Sequence, residues 1–183
     1  MIKKFFSIIA VLFFLLSFQN FVQASKIHFT YQAHIENYGW LNPVKNGQAT
    51  GSTGKNLRME AVLINLMDGA HNMINYSAHV QNIGWQAWQI SGGVAGTVGQ
   101  NLRMEAIRIK LVRGYDQIYD IYYRTHIQNG GWLGWAKNGE PAGTTGASLR
   151  MEALQIMLVP KGQRFKRGGR AFFEKITVAG SVI

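Results

Sequence analysis

Three groupings of chemically capable side chains recur in this chain at fixed spacing. His34, Asn37 and Trp40 form the first; it returns as His79, Asn82 and Trp85, and again as His126, Asn129 and Trp132. Each tryptophan is followed after 18 residues by an arginine, with a glutamate two further on: Arg58 and Glu60, Arg103 and Glu105, Arg150 and Glu152. A second tryptophan, Trp88 or Trp135, lies three residues past the first in the later copies, where the first copy has Pro43. An indole face fits the apolar face of a pyranose ring, and His and Asn supply hydrogen bonds to hydroxyl groups. These residues form the candidate ligand-binding set, with Trp88 and Trp135 the better stacking platforms. Trp40, Trp85 and Trp132 each follow a glycine turn and read more readily as plugs in the core.

Other chemistries fit less well. Three symmetry-related histidines could converge on a zinc ion, but nothing in their spacing demands it, and neither metal nor cofactor is expected. One glutamate per repeat could furnish the carboxylate pair of a glycoside hydrolase. Acid and base roles, however, need environments that push two pKa values apart, and three identical residues in equivalent places lack that difference. No catalytic residue is expected, and the protein is not expected to be an enzyme. The Arg-x-Glu pairs read instead as ion pairs fixing each unit to its neighbour. The absence of cysteine excludes thiol nucleophiles, Cys-ligated zinc and disulfides.

The elements around these groups read as strands. Phe29, Tyr31, Ala33 and Ile35 alternate with polar residues, as do Ile74, Tyr76, Ala78 and Val80, and Ile121, Tyr123, Thr125 and Ile127. A period of two with β-branched and aromatic residues marks a half-buried strand. Asn-x-Gly then signals a turn, and a short strand begins at the Trp and closes at Gly47, Gly92 or Gly139. A small-residue passage follows, with glycine pairs Gly51 and Gly54, Gly96 and Gly99, Gly143 and Gly146. Its spacing calls for positive φ or for close approach of another segment. A phosphate-cradling loop would need a following Gly-Lys-Ser/Thr and a helix, and neither is present.

The last strand of each unit puts Val62, Ile64 and Leu66 in line with Arg58 and Glu60, and likewise in the other copies. Either a bulge near the alanine flips the strand's face, or the Arg-Glu pair enters the barrel rim. No segment has a capped helical period, so the predicted class is all-β. Three repeats of about 45 residues suit a closed pseudo-threefold β-prism-like arrangement or a β-trefoil, since ring closure removes exposed sheet edges. The repeats span about 27–67, 72–112 and 118–159 and form one domain over residues 25–160.

The ends differ in character. Lys3 and Lys4, an apolar stretch from Phe5 to Phe18 and the small-residue pattern at Val22 to Ala24 predict a secretory signal over residues 1–24. The apolar run is short for a membrane span, so no transmembrane segment is expected in the mature chain. The signal could instead be kept as an anchor. Without Lys3 and Lys4 the 19 basic residues become 17 against 9 acidic, a formal charge of +8. Lys161, Arg164, Lys166, Arg167, Arg170 and Lys175 place much of it in the last segment, residues 161–183. For a secreted protein this segment suits anionic wall polymers or lipid head groups, and nucleic acid is not an expected partner. Ala171 to Val178 reads as one more strand that would close the ring.

The repeated phrase, Gly-Trp, then Ala-Gly-Thr-x-Gly, then Arg-x-Glu-Ala with an Ile-x-Leu ending, resembles the ChW repeat (clostridial hydrophobic, conserved Trp) of secreted Gram-positive proteins. The likeness covers roughly residues 28–159 in three copies. It implies a surface-binding or protein-interaction module, often found beside polysaccharide-degrading domains. The first copy departs from the phrase at Thr50-Gly51-Ser52 and at Pro43. The expected function is therefore a secreted, lectin-like module for a cell-wall polysaccharide or other surface glycan, retained at the cell surface or released. The alternative is a protein–protein interaction or adhesion module for a surface or host protein.

Overall fold

In the computed structural model, the described residues are 28–67 and 72–175, with the backbone of 177–178 and 181–182. The region expected to be a secretory signal lies outside them. Repeat 1 comprises β1 (Phe29–Ile35), β2 (Gly39–Trp40), β3 (Val44–Lys45), β4 (Ala49–Gly51) and β5 (Met59–Leu66). Repeat 2 comprises β6 (Ile74–Val80), β7 (Gly84–Trp85), β8 (Gln89–Ile90), β9 (Val94–Gly96) and β10 (Met104–Leu111). A single helical turn, α1 (Tyr115–Ile118), leads into repeat 3: β11 (Tyr119–Ile127), β12 (Gly131–Trp132), β13 (Ala136–Lys137), β14 (Ala142–Thr145) and β15 (Met151–Pro160). Beyond it lie β16 (Phe172–Glu174), β17 (Thr177–Val178) and β18 (Ser181–Val182).

The chain is all-β, as its alternation predicts, and its repeats build three separate sheets rather than one continuous barrel, with β17 and β18 pairing as a small fourth. In each repeat the first long strand pairs antiparallel with the last and with both short strands that follow it. The small-residue strand leaves its own repeat. β9 joins β5 of repeat 1, β14 joins β10 of repeat 2, and β4 joins β15 of repeat 3. This cyclic donation closes the ring and covers one edge of every sheet. Tyr31, Tyr76, Tyr123, Ile64, Ile109 and Ile156 lie in one core cluster drawn from all three repeats.

Close approach explains the paired glycines. A Cβ on Gly96 would lie 2.3 Å from the Glu60 carbonyl oxygen, and Gly51 and Gly143 meet Glu152 and Glu105 in the same way. All three have positive φ, between 108° and 118°. Both conditions expected of this passage therefore hold at the donated strand. The second glycines have positive φ; Gly54 and Gly99 face open space, while a Cβ on Gly146 would touch Lys175 at 3.5 Å.

The bulge, not the rim, resolves the strand register. His34 faces Ala61 while Ile35 faces Met59, so Glu60 is the extra residue on β5; Glu105 and Glu152 are skipped identically. Strand Phe172–Glu174 forms, but runs parallel to β14 on its outer edge. Ring closure is done by β4 instead.

Candidate functional site

The bulge places each glutamate, buried, beside its histidine. Glu60 is 4% exposed, accepts a 2.8 Å hydrogen bond from Arg58 Nε, and lies 3.1 Å from His34 Nδ1. Glu105 and Glu152 are held the same way by Arg103 with His79 and by Arg150 with His126. The imidazole nitrogens are within ion-pairing reach without being aligned for a linear hydrogen bond. A buried carboxylate needs such partners, and removing one leaves an uncompensated charge. Three equivalent carboxylates in one environment are a fastening of the bulge, not an acid and a base. Among the described residues no group of three His, Asp or Glu could hold a metal ion, so the histidines do not converge.

The Arg-Glu pair lies within its own repeat, which corrects its expected role as the joint between units. The joint is made by the arginine's far end: Arg58 donates to Asn101 Oδ1 of repeat 2 at 3.1 Å, and Arg150 to Asn56 Oδ1 of repeat 1 at 3.3 Å. The third such place holds Ser148, so Arg103 has no amide oxygen there.

Asn37, Asn82 and Asn129 have φ of 65°, 62° and 60°. Asparagine tolerates this left-handed region. The turn accounts for the residue type without a ligand, although the side chains are exposed.

The tryptophans depart most from expectation. Trp40, Trp85 and Trp132 are not core plugs. Each stands edge-on to its own histidine, 5.3 to 5.6 Å between ring centres, on the outer face of the sheet. Trp40 is 37% exposed and the other two are half-buried. In repeat 2 the Arg108 guanidinium lies 4.5 Å from the Trp85 ring centre and 4.4 Å from that of Trp88, with Lys110 Nζ 4.6 Å from Trp88. In repeat 3 Arg124 takes the corresponding place, 4.9 Å from Trp132 and 4.7 Å from Trp135. Burial lowers the pKa of Arg124 from its ordinary value. Repeat 1 has neither the second tryptophan nor a cation, only Gln32 and Leu63.

Trp88 and Trp135, equivalent in sequence, are not equivalent in exposure. Trp135 is 9% exposed because the basic segment lies on it. Phe165 stacks on Tyr122 at 4.1 Å and meets Trp135 edge-on at 5.2 Å. Backbone pairing completes the attachment: Trp135 N–H donates to Arg167 O, Gly134 N–H to Arg170 O, and Gly143 N–H to Ala171 O. Arg167 pairs with Glu140, and Lys161 with Asp120. Burial alone would raise the Asp120 pKa, but hydrogen bonds from Lys137, Asn138 and Lys161 outweigh it and hold it at about 2. Between this segment and the repeat remains a cleft of about 440 Å³, lined by Arg124, Trp132, Trp135, Lys166 and Arg170 with glycine backbone. No carboxylate lines it.

One glycine admits the segment. A Cβ on Gly134 would lie 1.7 Å from Gly169 O, and the corresponding residues are Asn42 and Ala87. The same docking is therefore sterically blocked on repeats 1 and 2. Gly134→Ala is expected to release residues 161–174, so that trypsin cleaves after Arg164, Lys166 and Arg167 at least about tenfold faster while the repeat core stays resistant. Unchanged cleavage kinetics would show that Gly134 does not gate the docking.

No curated protein and no solved structure matches the chain. The family model described as Clostridial hydrophobic W matches three times, over residues 34–68, 79–113 and 126–160. These spans take in every histidine–glutamate fastening and every tryptophan described above, and they cover more than half of the chain, which belongs to the ChW family.

Proposed function

We propose that this chain is a secreted, non-catalytic binding module of the bacterial cell surface that recognises a glycan or cell-wall polymer. The observation that carries the reading is the outward Trp85–Trp88 pair on a rigid sheet, with no segment of the described chain lying over it as Phe165 lies over Trp135. Rigid aromatic surfaces held by a scaffold bind with little loss of conformational entropy. Flat indole faces suit sugar rings better than they suit small polar metabolites. The buried, fully partnered glutamates support a binding role over a hydrolytic one.

The test is a binding screen of the full chain against purified wall polymers and defined glycans. Trp88→Ala should weaken the retained ligand by roughly tenfold, the loss of one aromatic contact worth about 1.5 kcal/mol. The reading would be abandoned if no polymer were retained, or if Trp85→Ala and Trp88→Ala bound as tightly as the parent chain. A protein partner is the second reading, and exposed Tyr38 and Ile83 at the turn tips beside Trp40 and Trp85 favour it. Capture of one defined surface protein, insensitive to glycosidase treatment and to free sugars, would support that alternative.

A further inference from the structure

The two cations on the outer face of β10 have no counter-charge among the described residues. Ile107, Ile109 and Leu111 on this strand face the core, so Arg108 and Lys110 point outward together. Both are held against Trp88, and Arg108 also against Trp85. No described carboxylate pairs with either one; Glu105, the acid of the same strand, is turned into the bulge and engaged by Arg103 and His79. Arg108 Nε is buried and makes no hydrogen bond. In repeat 3, Arg124 Nε donates to Gln155 Oε1 at 2.8 Å, so the comparable donor there is satisfied without a ligand. Two like charges on one indole repel each other, and an unsatisfied buried donor costs free energy. An anion bound at the accessible ends of Arg108 and Lys110 would relieve the repulsion.

The other copies locate the feature in repeat 2 alone. The positions of Arg108 and Lys110 are Leu63 and Asn65 in repeat 1, and Gln155 and Met157 in repeat 3. The second tryptophan is proline in the first case and covered in the last. A tryptophan pair left uncovered by the C-terminal segment, beside two unpaired cations on one strand, therefore occurs only in repeat 2 among the described residues.

We propose that repeat 2 carries an anion-selective saccharide site, in which Trp85 and Trp88 hold a sugar or polyol unit and Arg108 with Lys110 bind the carboxylate or phosphate attached to it. This rests on the reading of the chain as a glycan- or wall-polymer-binding module and names the ligand class. Guanidinium and ammonium groups bind both anions; the planar fork of Arg108 suits bidentate contact and Lys110 adds a point charge. Neutral glycans would leave both cations unpaired, so discrimination comes from the charge and retention from the rings.

The experiment measures affinity of the full chain for three immobilised polymers: polyglycerol phosphate, polygalacturonate, and a neutral glucan of similar length. Arg108→Gln, Lys110→Gln and the double variant are compared with Lys166→Gln on the C-terminal segment, with thermal melting as the check on folding. At least one anionic polymer should bind at least about tenfold tighter than the glucan, with affinity falling as salt rises. The double variant should remove most of that preference, and Lys166→Gln should change it less than about twofold. The phosphate and carboxylate arms decide which anion the site takes. Equal affinity for neutral and charged polymers, or a preference lost with Lys166→Gln and kept in the double variant, overturns the assignment while leaving a glycan-binding module intact. Failure of all three polymers to bind, with no effect of Trp88→Ala on any ligand found elsewhere, defeats the underlying reading as well.

Discussion

Gly96→Ala is expected to remove a large share of the folding free energy. Gly96 has a φ of 108°, and its missing Cβ position lies 2.3 Å from the Glu60 carbonyl oxygen and 2.6 Å from Ala61 Cα. Both obstacles are backbone, so no rotamer change can relieve the clash. Nor can the strands move apart, because Ala61 and Gly96 are paired in the ladder through which repeat 2 enters the sheet of repeat 1. Left-handed strain and overlap together cost on the order of 4 kcal/mol or more. A domain of this size has about 5–15 kcal/mol in total, and no disulfide supports the ring. Equilibrium urea unfolding followed by near-UV circular dichroism measures the effect. Gly99→Ala is the matched control, since its φ is also positive but its Cβ would meet nothing within 4 Å; it should cost only about 1 kcal/mol. Equal losses for the two variants would mean that backbone strain alone, and not the close approach, makes the first glycine necessary.

Parts of this arrangement are legible in the sequence and parts are not, for physical reasons. The alternation around Tyr31, Tyr76 and Tyr123 names the core face correctly because pleating is local and has a period of two. The aliphatic phase after each Glu demanded a bulge or a buried rim pair, and the bulge at Glu60 supplied the answer. Which repeat a strand joins is a long-range choice, and no local pattern says that β9 pairs with β5. The tryptophans misled because a Gly-Trp turn is compatible with either side of a sheet. Their outward position follows from the pairing of His34 with Trp40 across the strands, on the face opposite Tyr31. Phe165 covering Trp135 was equally hidden, although one signal existed: Gly134 stands where the other copies have Asn42 and Ala87. A glycine unique to one copy marks a place where another backbone comes near.

The tyrosines predict the second large effect, a cooperative alkaline unfolding between about pH 10 and 12. Each is fully buried and reaches from its own repeat into the one before it around the ring. Ile64 N–H donates to the Tyr76 hydroxyl at 3.1 Å and Ile156 N–H to that of Tyr31 at 3.0 Å, while the hydroxyls donate to Gly93 O and Gln48 O. Tyr123 is placed likewise against Ile109 and donates to Glu140 O. Burial pushes Tyr31 and Tyr76 up to about 12 from the usual 10, only partly opposed by the backbone donors, and raises Tyr123 as well. In the unfolded chain a phenol ionises near 10, so above that pH the unfolded state binds fewer protons than the folded one. The tyrosine contribution is therefore fully present below pH 10 and is lost as pH rises through the folded values. The loss is about 1.4 kcal/mol per pH unit for each tyrosine, so Tyr31 and Tyr76 alone remove on the order of 5 kcal/mol, comparable with the whole folding free energy. Tyrosinate absorbance should rise for three of the seven tyrosines only as the near-UV dichroism collapses. Ionisation of these three near pH 10 with the fold intact would contradict the assignment. Tyr76→Phe separates the hydrogen bond from the titration. It should cost about 1–3 kcal/mol at neutral pH, because Ile64 N–H and Gly93 O lose their partner, and it should also make the alkaline decline shallower.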